Sequence, residues 1–228
     1  CLCWFHRLHA CKILPKQIIG YAMLDLFVAS FISLFVIIDP LGSASVFAAI
    51  TKNFDARDSR YIALKGVAIA ATLLLVFAFI GEALLHHLGI SISAFRVAGG
   101  ALLFVTAFQM IMGSQGPDQF AANIVAEGKS HLSALSVFPV AIPLLAGPGC
   151  MTAVVLHASD AQNFTGVAVV GGAVLLVQAI ALMAMLMSVK IVSIIGDTGS
   201  SIAARIVGIL LAALSVQFVA DGLRGLIG

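Results

Sequence analysis

The most chemically pointed residue in the sequence is a carboxylate set among apolar neighbours. Asp39 stands in the run Phe35-Val36-Ile37-Ile38-Asp39-Pro40-Leu41-Gly42-Ser43, and between Leu24 and Ile50 the only other formal charge is Asp25, near the edge. Holding a charge at the centre of an apolar helix costs about 2.5–3.5 kcal/mol on insertion scales. Pro40 and Gly42 weaken such a helix further. Two uses would offset the cost. Pro40 fits best as the first residue of a helix, directly after a residue type that caps, so Asp39 is expected to cap a half-helix starting at Pro40. Its carboxylate would also meet a cation, either an ammonium group on a substrate or a coupling proton or sodium ion. The plain alternative is a kink carrying a buried, neutral Asp39.

Related chemistry recurs in Ala141-Ile142-Pro143-Leu144-Leu145-Ala146-Gly147-Pro148-Gly149 and the Cys150-Met151-Thr152 that follows. Here Gly147 precedes the proline and brings no side chain, while Pro148 brings no N–H. A helix N-terminus carries roughly half a positive charge and unpaired N–H groups. The amides of Gly149, Cys150 and Met151 are therefore expected to face an anionic group, with the Thr152 hydroxyl close by. The candidate substrate site comprises Asp39, Pro40, Gly42, Ser43, Gly147, Pro148, Gly149, Cys150 and Thr152. A substrate carboxylate would bind at 149–152 while its ammonium group faces Asp39. The bare glycines favour a small substrate.

Fewer roles suggest themselves elsewhere. Arg96 and Arg205 stand at the entrances of apolar runs, where reaching out to the interface is the ordinary behaviour. Their functional alternative is gating, through an ion pair with Glu82 or Asp221. Gln109 and Gln217 suit either interhelical hydrogen bonds or a site. His86 and His87 lie at a membrane edge, and Gly99-Gly100 suits close helix packing. No Ser-His-Asp grouping, H-E-x-x-H, Walker loop or CxxC occurs, so neither an enzyme nor a cofactor is expected. Cys1, Cys3, Cys11, His6 and His9 crowd together near the start without the spacing of a closed zinc site, and no metal is expected. Cys150, inside an apolar run, implies no structural disulfide.

The elements that must position these residues follow from composition. Of 228 residues, 61% are hydrophobic and 10% charged, with a mean hydropathy of +1.15. Soluble domains run at about 45–50% and about 25%. The chain is therefore expected to be all-α and polytopic in a lipid bilayer, and its net charge of +2 makes no case for nucleic acid. Gaps between charges give six spans: 24–50, about 63–85, about 92–113, 132–158, about 165–188 and about 201–222. A polar loop over 113–131 carries Gly116-Pro117-Asp118 as turn chemistry. Residues 1–22 are expected to be a non-native or upstream extension, leaving 23–228 as the transmembrane domain.

The two halves match each other. Arg96, Gly99, Leu102 and Gly113 correspond to Arg205, Gly208, Leu211 and Gly222 at an offset of 109, and Pro40 corresponds to Pro148 at 108. Gly66-Val67-Ala68 has a counterpart in Gly166-Val167-Ala168. Three spans per repeat is an odd number, so repeats over about 24–113 and 132–227 would be inverted, with spans one and four broken at mid-membrane. Lys52, Arg57, Arg60, Lys65, Lys129, Lys190 and Arg205 gather on one set of loops, against Arg96 and Arg224 on the other. Positive charge then puts Met23 outside and the 113–131 loop in the cytoplasm.

The D-P-x-G motif of Asp39-Pro40-Leu41-Gly42 and the P-L-x-x-G-P-G motif of Pro143–Gly149 resemble those of the MarC family of bacterial inner-membrane proteins, over about residues 23–227. Ser43 and Ser45 stand where many relatives carry an Asn-x-Pro-type stretch. The resemblance implies a multi-pass protein of the cell inner (plasma) membrane. Since the family includes proteins described as small neutral amino-acid transporters, it also implies that activity. Secondary transport of a small solute is the expected function, with a neutral amino acid as the substrate that the resemblance implies. A non-transporting scaffold or regulatory protein is the alternative, and a membrane enzyme using Asp39 lacks a second carboxylate or base at similar depth.

Overall fold

The computed structural model describes residues 16–52, 54–112, 132–161 and 163–227, and every regular element among them is helical. The order is α1 (Lys16–Ile38), α2 (Pro40–Ile50), α3 (Ala56–His87), α4 (Ile92–Met112), α5 (Leu132–Leu135), α6 (Ser136–Leu145), α7 (Pro148–Asp160), α8 (Phe164–Leu186) and α9 (Ser188–Ile227). Five helical stretches are long and apolar enough to cross a membrane: Met23–Ile50, Ala56–His87, Ile92–Met112, Phe164–Leu186 and Ser201–Ile227. Taking α6 and α7 as one span bent by 55° gives six. The Cys/His cluster at the start and the 113–131 loop lie outside the described residues.

Several boundaries differ from the sequence expectation, each for a physical reason. α3 starts at Ala56, seven residues before the expected 63, and so takes in Arg57 and Arg60. Charges mark where the chain leaves hydrocarbon, whereas the helix continues beyond. Asp58 in its first turn and His86 and His87 in its last suit the helix dipole. α9 is interrupted at Gly196, which sits at φ 68°, a conformation glycine adopts without steric cost. The expected fourth span is the least regular. Phe138 and Ile142, the residues before Pro139 and Pro143, take extended backbone angles (φ −128° and −126°), because a following proline ring disfavours the helical region. Turns in α6 are wide, and the Ala146 N–H reaches back five residues to the Ala141 carbonyl at 2.9 Å.

The core centres on α8, which buries Val170 and Ala173 and places Val174, Val177, Ala181 and Met185 in a cluster with residues of α1, α2, α3, α6 and α7. α4 and α9 run antiparallel in close contact. A Cβ on Gly222 would lie 2.7 Å from Val97, one on Gly100 2.8 Å from the Ser215 carbonyl, and one on Gly208 3.1 Å from Met110. Small residues let two backbones approach in this way where no water drives helices together. Phe104, Phe108, Ile206 and Ile209 point outward from this pair, as a lipid-facing surface requires.

Contacts at the two ends of the bundle set the order of the spans. Lys65 donates to the Ser133 hydroxyl at 2.9 Å, so the starts of α3 and α5 share one end. Arg96 pairs with Asp160 at 3.2 Å, and the rings of Phe79 and Phe164 lie 5.9 Å apart. The start of α4, the end of α7 and the start of α8 therefore share the other end.

Candidate functional site

Asp39 interrupts the first span with a single residue. Its backbone is left-handed (φ 44°, ψ 77°), a region that Asp tolerates better than most residues do. Its Oδ1 accepts the Gly42 N–H at 3.2 Å, capping α2, and Pro40 opens that helix. A Cβ on Gly42 would strike the Asp39 carboxylate, so the bare glycine is part of the cap. The other side of the interruption is satisfied too. Ser43, 2% exposed, donates its hydroxyl to the Ile38 carbonyl at 2.7 Å, covering an acceptor that α1 leaves at its last turn. Asp39 itself is only half-buried.

The second interruption is built differently. Gly147 caps α7 in extended conformation with no side-chain bond, and Pro148 follows. The Met151 N–H donates to the Gly147 carbonyl at 3.1 Å. Of the three amides expected to face an anion, Met151 is therefore engaged in the helix, and Gly149 and Cys150 remain outside its ladder. Thr152, 2% exposed, donates to the Pro148 carbonyl at 2.9 Å and packs against Gly99 of α4. Its hydroxyl hydrogen is thus already in use. Cys150 is buried, 3% exposed. A Cβ on Gly147 would come within 2.7 Å of the Pro143 carbonyl, so no side chain fits at that cap without movement.

The two interruptions lie next to each other. A Cβ on Gly149 would lie 3.7 Å from Ile37, two residues before Asp39, with Leu103 of α4 on its other flank. Ile38, Leu145, Ala146 and Cys150 belong to one buried cluster. α8 adds Gln178, 1% exposed, whose Nε2 donates to the Leu145 carbonyl at 3.4 Å and whose Oε1 has no hydrogen-bond partner among the described residues. Gln178 is the one amide in the apolar span 165–188. That signal marks a buried polar group, but sequence alone does not tell which helix it faces.

The expected gating residues are not equivalent. Arg96 pairs with Asp160 rather than with Glu82 or Asp221, joining α4 to α7. Arg205 is exposed. Asp221 accepts from Gln217 at 2.9 Å and pairs with Arg224 at 3.5 Å, all within α9, so Gln217 is not interhelical glue. Gln109 is exposed. Among the described residues, no three His, Cys, Asp or Glu side chains group as metal ligands would.

An all-helical bundle with five or six spanning stretches and outward apolar side chains defines an integral, multi-pass membrane protein. The chain belongs to the MarC family: the family model, described as MarC family integral membrane protein, matches residues 24–227. It is 36% identical over 207 residues to a UPF0056 membrane protein of Archaeoglobus fulgidus, covering 91% of this chain and 95% of that one. It is 34% identical to a UPF0056 membrane protein of Aquifex aeolicus, covering 89% and 94%. With the UPF0056 membrane protein YhcE of Escherichia coli it shares 31% identity, over 86% and 91%. No solved structure matches the chain.

Proposed function

We propose that this MarC-family protein is a secondary transporter of a small neutral amino acid in the cell inner membrane, rather than an enzyme. In this reading two inverted repeats, over about 24–113 and 132–227, bring their broken first helices together at mid-membrane. The observation that carries it is the pair of adjacent interruptions of opposite character. One has a carboxylate in its cap, at Asp39, and the other has amides without a capping side chain, at Gly147. A zwitterion matches that pair, with its ammonium group toward Asp39 and its carboxylate toward the Gly149 and Cys150 amides. The space that a side chain would take at Gly149 is filled by Leu103, so the glycine lets α4 approach the start of α7.

The packing supports inversion in a further way. α2 lies on α9 and α8 as α7 lies on α4 and α3, and α6 lies on α3 as α1 lies on α8. The antiparallel course of α4 and α9 is what repeat-equivalent helices of opposite orientation require.

Binding separates this reading from a scaffold. The purified protein should be stabilised against heat by glycine or alanine, and at least tenfold less effectively by the corresponding amide, which keeps the ammonium group and lacks the carboxylate. Equal effects of acid and amide would remove the amide-lined end from the site. Ligand comparison is the cleaner test, because Gly147→Asp, which would recreate a negative cap, also drives a Cβ toward the Pro143 carbonyl.

A further inference from the structure

The first turns of α3 carry a basic patch apart from the candidate site. Arg57 and Arg60 are exposed, and Lys65 is half-buried where α3 meets α5. The Lys65 ammonium donates to the Ser133 hydroxyl at 2.9 Å and to the Tyr61 hydroxyl at 3.3 Å, and it lies 5.4 Å from the centre of the Tyr61 ring. Tyr61 stands one turn earlier, so the ammonium is directed back toward the turn of Arg57 and Arg60. Two of its three donors are in use, and the third is left for a ligand. Asp55 and Asp58 begin the helix, where its dipole suits them. Among the described residues, neither they nor any other carboxylate forms an ion pair with Arg57, Arg60 or Lys65.

The same face changes character along the helix. Arg57, Tyr61, Leu64, Ala68 and Thr72 recur every three or four residues, so they form one stripe, and all five are exposed. Basic and aromatic groups begin the stripe and apolar ones continue it. Thr72 suits the apolar part because its hydroxyl is bonded to the Ala68 carbonyl at 2.8 Å. A free anion would use only the first part. A phospholipid with an anionic headgroup uses both, its phosphate against the cations and an acyl chain along Leu64 and Ala68. A tyrosine between the two parts is an ordinary interfacial anchor.

We propose that the start of α3 binds an anionic phospholipid through Arg57, Arg60 and Lys65, with Ser133 of α5 positioning Lys65. Basic pockets between spanning helices hold acidic headgroups in this way. The lipid site does not need the transport reading.

The test uses the purified full-length protein in a neutral detergent, titrated with phosphatidylglycerol or with phosphatidylcholine of the same acyl chains. Phosphatidylglycerol should raise the melting temperature saturably, at a half-saturating concentration at least tenfold below that of phosphatidylcholine. Arg57→Gln, Arg60→Gln and Lys65→Gln combined should raise that concentration at least tenfold. Lys190→Gln, which removes an exposed cation from α9, should leave it unchanged. Inorganic phosphate, at the concentration where the lipid saturates, should have no effect.

Equal half-saturation for the two lipids would overturn the proposal. So would a matching response to inorganic phosphate, which assigns the patch to a soluble anion. Equal weakening by Lys190→Gln and the triple variant would overturn it as well, since diffuse attraction to all basic groups gives that pattern. A dimer that the triple variant converts to a monomer would give the face to a second copy of the chain instead. Should the triple variant fail to fold, the exposed single changes Arg57→Gln and Arg60→Gln decide. Each should raise the half-saturation at least threefold, and no change in either overturns the site.

Discussion

At the residue scale, Asp39 does two things that no apolar residue can do at its position. Left-handed backbone costs most L-residues roughly 1–2 kcal/mol, and a side-chain cap contributes about 1 kcal/mol. Asp39→Asn keeps both the tolerance of that backbone and most of the capping ability. It should lie within about 1 kcal/mol of the wild type in denaturant unfolding, while Asp39→Ala should lose about 1–2 kcal/mol. Equal stability of wild type and Asp39→Ala would mean that the Gly42 bond contributes nothing. If the carboxylate also meets the substrate, Asp39→Asn should fold and still fail to transport. The cap was legible in the sequence, because Asp-Pro with Gly three residues after the Asp describes its own hydrogen bond. Ser43 and Thr152 were legible only as polar residues near the interruptions. Both turn out to donate to backbone carbonyls, at Ile38 and Pro148, and a hydroxyl's choice between backbone and ligand depends on geometry that spacing does not fix.

At the element scale, prolines decide where the helices stop. Pro40 begins one helix and Pro148 another, both at first positions where the missing N–H costs nothing. Pro139 and Pro143 fall inside a segment and pull Phe138 and Ile142 out of helical geometry. Apolar periodicity cannot show this, because 132–158 is equally apolar whether regular or not. Ion pairing between elements is likewise not legible from charge sign. Glu82 and Asp221 are open alternatives as partners of Arg96, but the end of α7 brings Asp160 to it instead. That pair is partly exposed, with side-chain exposures of 23% and 60%, and should contribute modestly. A double-mutant cycle over Arg96→Ala and Asp160→Ala should give a coupling of about 0.2–1 kcal/mol that shrinks at high salt. Zero coupling at low salt would mean that the pair does not join α4 to α7 in solution.

At the scale of the whole molecule, length and hydropathy foresee five spanning helices, and the sixth only where the bent pair α6–α7 counts as one span, since water-free surroundings leave helices as the economical way to satisfy the backbone. How the spans pack was not legible, because small and apolar residues fit many neighbours and only the contacts pick out α8 as the centre. The proposed orientation is open to direct measurement. In a background lacking the natural cysteines, a single cysteine in the 113–131 loop should resist a membrane-impermeant thiol reagent in intact cells. One in the loop around 162 should react. The opposite pattern would invert the orientation. The measurement that bears most directly on the central claim is flux. Proteoliposomes containing the purified protein and loaded with unlabelled glycine should take up labelled glycine or alanine at least tenfold faster than protein-free vesicles. Asp39→Asn proteoliposomes, with equal protein incorporated, should fall to the protein-free rate. Uptake no faster than in protein-free vesicles across the small neutral amino acids would contradict the account, as would full uptake by Asp39→Asn for the part it assigns to the carboxylate.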